Sequence, residues 1–214
     1  MVHIIEGALP LWECAGGYAI TFLIIALILG IKRIRLEDIP TISLVSIIFF
    51  TASFIHFSIG PSSVHPLFNG IVGITLGPFS YIGIMIALLL QAVLAGHGGI
   101  STLGVNTIDM GLPAIIAYFI FKLCIKRLSN LKQVALLCSG LGALTVLLTL
   151  VLTIIALVIA DPAYLIPAIA LVVWHGPIVV IETVITGIVI SKILKVRPSI
   201  FIRVYGESIT KVLK

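Results

Sequence analysis

Residues 39–108 read IPTISLVSIIFFTASFIHFSIGPSSVHPLFNGIVGITLGPFSYIGIMIALLLQAVLAGHGGISTLGVNTI, a stretch that holds no Asp, Glu, Lys or Arg. One helix crossing a bilayer needs ~20 apolar residues, so roughly 70 uncharged ones imply several crossings. The rest of the chain agrees. Of 214 residues 60% are hydrophobic and 10% charged, with a mean hydropathy of +1.30, whereas a soluble domain carries about 25% charged residues. The expected fold is an all-α polytopic membrane protein, a single transmembrane domain over 1–214, in a multi-pass cell-membrane location. A secreted disulfide scaffold, a nucleic-acid-binding partner of DNA or RNA and a soluble enzyme are excluded on the same grounds. Cys14, Cys124 and Cys138 lie in apolar segments without CxxC or zinc-ligand spacing, and read as packing residues.

All 13 Lys and Arg residues fall in three clusters, Lys32 to Arg35, Lys122 to Lys132 and Lys192 to Lys214. By the positive-inside rule these are cytoplasmic. The N-terminus, 58–66, 96–104 and Asp161-Pro162 carry none and are placed outside. A span over 9–31 then runs in and 39–57 runs out. The segment 66–95 must begin and end outside, yet one unbroken helix of ~30 residues, rising ~1.5 Å each, would cross only once. Gly77-Pro78 supplies a break, because proline removes a helix hydrogen bond and clashes with the preceding turn. The expected result is a short helix over 67–76 and a second over 79–95, forming a hairpin. Such a short helix is tolerated at membrane depth only where protein or a cavity surrounds it. Spans over 105–125, 134–160 and 164–193 complete about seven helical segments, with the N-terminus outside and residues 194–214 as a cytoplasmic basic tail. Gly70, Gly73 and Gly77 show the small-residue spacing of closely packed membrane helices, with a backbone left open to a ligand as the alternative. No leader with a basic start, apolar core and small-residue cleavage site is read, so residues 1–8 are expected to remain as an extracytoplasmic segment.

His3, His56, His65 and His97 all lie in or beside the segments placed outside. A free amine followed closely by histidine can present several nitrogens in one plane. With Met1 retained, the amine, the Val2 and His3 amides and the His3 ring make four. With Met1 removed the chain end supplies three, and an imidazole from elsewhere completes the set. Square-planar nitrogen sets suit Cu(II) or Ni(II), and zinc prefers a tetrahedron. His65 stands in Gly60-Pro61-Ser62-Ser63-Val64-His65-Pro66, where proline and serine hold the chain away from helix. The glycine-rich segment 96–104 can approach a ligand by its backbone.

His3-Ile4-Ile5-Glu6-Gly7, Ser63-Val64-His65, Leu76-Gly77-Pro78, Gln91 followed by Gly96-His97-Gly98-Gly99 and Leu103-Gly104-Val105-Asn106, and His175 to Glu182 before Val196-Arg197-Pro198 resemble the CbiM/NikM family. These proteins are the substrate-capturing membrane components of energy-coupling-factor (ECF) cobalt and nickel transporters. The resemblance runs in order over nearly the whole chain. It implies that the terminal amine, the amide and ring of the second residue's histidine, and a histidine of the loop matching Ser63 to His65 hold the metal. Carried over, the ligands are His3, His65 and whichever of Met1 and Val2 is the mature N-terminus. Val2 places the histidine third rather than second, so either Met1 is removed, the favoured reading, or the chelate differs.

Candidates to support the ligating rings are Glu6, His56, His97 and Asn106, since partners in the outer shell fix a metal-binding histidine's tautomer; hydrogen bonding within the polar loops is the equal alternative for them. Asp109 stands where the family often has asparagine. Glu182 lies inside a membrane helix, where an ionisable group is by default a functional candidate, and His175 is seven residues earlier on the same face. A buried Glu182 that simply holds helices together is the equal alternative. No GxxxxGK[ST] loop is present, so the chain is expected to be no enzyme and to need no cofactor. It would capture and translocate Co2+ or Ni2+ as substrate in an ATP-driven transporter. The resemblance implies ECF ATPase subunits and a scaffold membrane subunit as partners, with or without a small accessory membrane subunit, in the lipid bilayer. A self-sufficient cation channel or ion-coupled permease is the alternative function. An intramembrane hydrolase is disfavoured, for HExxH and GxSxG are both missing.

Overall fold

The computed structural model of the protein describes residues 3–55, 57–59 and 62–213. Met1, Val2 and His56 lie outside the described residues. The extended backbone of Pro10, ψ 154°, starts α1 (Leu11–Ile31). Next, α2 (Ile39–Ala52) begins after Asp38, with Pro40 in its first turn, a position where the missing N–H has no helical partner to lose. The sequence reading carried this helix to Phe57, but it stops five residues sooner. Thr51 Oγ1 donates to the Ile47 and Ile48 carbonyls at 2.9 and 3.0 Å, and Ser53 Oγ to the Phe50 carbonyl at 2.7 Å. Hydroxyls bonded back in this way compete with helix continuation. Beyond it β1 (Phe57–Ile59) pairs antiparallel with β2 (Ser62–Val64), Phe57 opposite Val64. This short ribbon is an addition to the helical expectation, within a segment expected to be loop.

The break at Gly77 is where the sequence placed it. Every residue of α3 (Asn69–Leu76) is buried, and Gly77 adopts φ +60° before a 3₁₀ turn, Gly77–Phe79, leads into α4 (Ser80–Ala95). α5 (Leu103–Cys124) gives the direction of each arm. Gly70 lies against Thr145 and Gly142, Gly73 against Ala114 and Gly77 against Tyr118, while Tyr81 is already back at Gly111. α3 therefore runs beside α5 in the same sense, and α4 returns against it: a hairpin inside the bundle. A methyl group on Gly73 would overlap the Ala114 backbone, so these glycines serve close packing.

Two long helices close the bundle, α6 (Leu131–Ala160) and α7 (Leu165–Val196). Asn130 caps α6 by accepting from the Gln133 amide at 3.0 Å, and Asp161 starts the intervening 3₁₀ turn by accepting from the Ala163 amide at 2.8 Å. By length and composition α1, α5, α6 and α7 are each long and apolar enough to cross a membrane, as is the run Asn69–Ala95 that the turn at Gly77 folds into the α3–α4 hairpin, and α2 is a shorter apolar helix. Leu11, Ile31, Ile166 and Leu123 are among the large apolar side chains left exposed at the periphery, as expected where lipid and not water is the solvent.

The basic C-terminal segment packs on the bundle through residue 213. α7 continues to Val196, α8 (Pro198–Tyr205) and a 3₁₀ segment (Glu207–Leu213) follow, and Phe201, Ile209 and Val212 are buried in a core with Ile71, Ile74 and Phe121. Basic residues gather at this end. Lys32 lies over the Phe79 ring at 5.3 Å and Lys122 over Tyr118 at 5.5 Å, and Arg203 approaches the buried Asp38 carboxylate at 3.5 Å.

Candidate functional site

The N-terminal segment turns into the opposite end of the bundle, and Asn106 is what holds it. Its Oδ1 accepts from the Ile4 amide at 2.9 Å and its Nδ2 donates to the Ile4 carbonyl at 3.0 Å and to Thr102 Oγ1 at 3.2 Å. One amide side chain thus pairs with both polar groups of one residue, as a neighbouring strand would. Thr102 Oγ1 also donates to the Ile4 carbonyl, at 2.8 Å. Glu6 adds a second tie: its carboxylate accepts from the Ser101 amide at 3.1 Å, and its amide donates to the Gly98 carbonyl at 3.3 Å. Bonds from the Ser101 hydroxyl and amide hold the Glu6 carboxyl below its ordinary titration range. The glycines of this loop are needed where they stand. Gly98 has φ +75° and Gly99 packs on the Glu6 backbone, a closeness that only a residue without Cβ allows.

These ties deliver His3 beneath the surface, against His65. Both residues are 3% exposed, and their rings stack at 4.8 Å between centroids, 16° from parallel. Neither nitrogen of His3 has a hydrogen-bond partner among the described residues. Burial, and after it the neighbouring imidazoles of His65, His97 and His175, hold the His3 ring well below its ordinary titration range. It is therefore neutral at pH 7, the form that binds a metal. Pro66 O, which can only accept, lies 2.9 Å from His65 Nδ1. The proton is on Nδ1, and Nε2 is the ring's acceptor nitrogen.

Of the two roles held open for the supporting groups, Glu6 and Asn106 show the loop hydrogen bonding. Glu6 and Asn106 grip the backbone of residues 4–6 and the loop, and the described bond to His65 Nδ1 comes from its own neighbour's carbonyl. His97 lies near His3, with its ring 6.0 Å from that of Phe54. Thr102, which the sequence reading passed over, anchors the N-terminal segment; its place as the cap of α5 was the available signal. Among the described residues no group of three or more His, Cys, Asp or Glu side chains is placed to hold a metal.

His175 and Glu182 both face the interior from α7, 1% and 0% exposed, and they do different things. His175 Nδ1 donates to the Leu171 carbonyl at 2.7 Å, near enough to His3 to affect its charge. Glu182 Oε1 accepts from the Leu67 and Phe68 amides at 2.6 and 2.8 Å, just before α3. Asp109 accepts from Thr153 Oγ1 at 3.1 Å.

With this geometry in view, the chain matches the family model "Cobalt uptake substrate-specific transmembrane region" over residues 3–200. The chain belongs to the CbiM family. It is 30% identical over 221 residues to the cobalt transport protein CbiM of Kyrpidia tusciae, covering 94% of this chain and 87% of that one. To the protein of the same name from Clostridium tetani it is 36% identical over 174 residues, 76% and 68% of the two chains. A crystal structure of a truncated transition metal transporter superposes with a TM-score of 0.67 at 25% identity, over 90% of this chain and 98% of that chain. This CbiM-family chain is a multi-pass membrane transport component, with the stacked His3–His65 pair at one end and the basic residues at the other.

Proposed function

We propose that this chain captures Co2+ or Ni2+ outside the cell as the substrate component of an ATP-driven ECF-type transporter. The observation that carries the reading is the buried His3–His65 pair, with the His3 nitrogens unpartnered among the described residues. Unpaired buried polar atoms are costly unless a ligand satisfies them. With Met1 removed, two imidazoles, the His3 amide and the Val2 amine make an all-nitrogen set suited to square-planar Ni(II), and the relatives named for cobalt transport agree with a transition-metal substrate. Ring reorientation from the stack would bring both imidazoles into one coordination sphere.

Transport against a gradient needs an energy source that the chain's sequence does not supply, so ATPase subunits and a scaffold membrane subunit are its partners in this proposal. A ligand shifts a conformational equilibrium only by its differential affinity for the two states; capture alone accumulates nothing. The channel or permease reading is the weaker one, because Glu182 is engaged by two backbone amides. The test is calorimetric titration of the purified chain with Ni2+ and Co2+. One ion per chain is expected, lost in His65→Ala and in a form extended by several residues before Val2. Stoichiometric binding at wild-type affinity by His65→Ala overturns the assignment.

A further inference from the structure

The peptide group joining Pro66 to Leu67 touches two side chains at once. Its carbonyl accepts from His65 Nδ1 at 2.9 Å, and its N–H donates to Glu182 Oε1 at 2.6 Å. A trans peptide is planar and carries these two groups on opposite sides, so the carboxylate, the peptide and the imidazole form one continuous chain of hydrogen bonds. We propose that Glu182 is a positioning residue for His65, acting through the Pro66–Leu67 peptide as a carboxylate–peptide–imidazole relay.

Three features of the geometry support this. The first is polarisation: hydrogen bonds in series strengthen one another where the surroundings are apolar, and Glu182 is 0% exposed. An anion on the N–H makes the Pro66 carbonyl a stronger acceptor, which holds the proton on Nδ1 and directs the Nε2 lone pair away from it. Metal-binding histidines commonly donate their other N–H to a carboxylate or a backbone carbonyl, and here the two arrangements are joined in series.

The second is rigidity. The same oxygen accepts from the Phe68 amide at 2.8 Å, so the carboxylate cannot swing without breaking two bonds. Phe68 has φ +55°, and it is the one non-glycine residue with positive φ among the described residues. Such a backbone persists only where its surroundings over-determine it. Proline at 66 narrows the adjoining φ. The residues that aim the His65 ring are thus pinned from α7.

The third is the separation of this role from simple helix support. A carboxylate near the start of a helix is favourable for any short helix. A relay has the additional requirement that the negative charge, and not only an acceptor atom, be present. Glu182→Gln retains an oxygen that can accept both amides while removing the charge. Glu182→Ala removes both.

The consequence for metal rests on the capture reading above; the relay geometry does not. The experiment uses the full chain in detergent with ¹⁵N-labelled histidine. In the metal-free wild type, the His65 shifts are expected to report the Nδ1–H tautomer, shifting toward a mixture in Glu182→Ala. An Nε2–H tautomer in the wild type overturns the relay without recourse to any variant. With Ni2+ as probe, Glu182→Gln is expected to bind about 10-fold more weakly or worse, within the 10–100-fold range of lost outer-shell partners, and to shift the ligand-field absorption band. Wild-type affinity with an unchanged band in a folded Glu182→Gln protein overturns it. A wild type that binds neither Ni2+ nor Co2+ but keeps the Nδ1–H tautomer defeats the capture reading and supports the relay.

Discussion

At its outer end α3 is tied by directional bonds, Glu182 to the Leu67 and Phe68 amides and Asn69 Nδ2 to Thr149 Oγ1 at 2.8 Å. At its inner end one phenol, Tyr205, donates to the Ile74 carbonyl at 2.7 Å, and apolar contacts add to it, with Val204 and Tyr118 against Gly77 and Phe201 in the shared core. The difference follows from what each end must do. Hydrogen bonds weaken steeply with angle, so they can hold a ring nitrogen in place. Apolar burial is non-directional and only keeps the helix packed. The end that carries His65 is built for aim, and the other for cohesion.

The strongest way to break the contrast is to disturb the middle of α3, on which both ends depend. Gly73→Val places a branched Cβ into the Ala114 backbone, which cannot yield as a side chain would. Overpacking costs about 1–3 kcal/mol, and about 3 is expected here. Thermal unfolding in detergent should fall sharply, with Ni2+ retention lost alongside it. Retention of metal by a destabilised protein would mean that the outer end stands independently.

Asn106→Ala should separate aim from cohesion. It strips the Ile4 amide and carbonyl of a buried partner, an effect of about 1–3 kcal/mol on the docked segment. Metal affinity is expected to fall about 10–100-fold while the bulk unfolding transition moves little. An equal loss in both measurements would contradict the division of labour.

Acid should loosen the outer end selectively. Burial holds the His3 ring below its ordinary range, so the undocked segment binds a proton that the docked one refuses. Where the unfolded form binds more protons, stability rises with pH. The docked state is therefore fully favoured above ~6.5 and loses up to about 1.4 kcal/mol per pH unit below it, until the folded ring itself titrates. Proton competition weakens metal binding in the same direction. Hydrogen-exchange protection factors at Ile4 should drop as pH falls below ~6.5, with those of α5 unchanged. Constant protection at Ile4 would refute the docking argument.

The smallest effect is expected at the inner end. Tyr205→Phe removes one bond to the Ile74 carbonyl, worth about 1 kcal/mol, and should leave Ni2+ affinity at the wild-type value. A tenfold loss would show that the inner end also aims the site.

Much of this protein is legible in its sequence. An uncharged run of roughly 70 residues cannot be accommodated by one ~20-residue span, the basic clusters divide the two ends, and Gly77-Pro78 has to break the helix. Charge placement put His3, His56, His65 and His97 in or beside the outer connections, and the resemblance to the CbiM/NikM family singled out His3 and His65 among them. The expectation failed where outcomes turn on side-chain bonds across short distances. At the early end of α2 the Thr51 and Ser53 hydroxyls turn back on carbonyls, and the β-ribbon depends on register.

Hydropathy, charge placement and helix-breaking residues determined the spans and their hairpin, because the bilayer penalises each exposed polar or charged group by itself, whatever its neighbours. Convergence was decided only in three dimensions. That Asn106 pairs with Ile4 across 102 positions of chain, that Phe201 belongs to the core and not to a tail, and that Glu182 meets the peptide next to His65 are relations between distant segments. Chemical type alone left Glu182 equally a functional group and a structural one, since a buried carboxylate satisfies its charge with whichever donors the packing of α3 and α7 brings within reach.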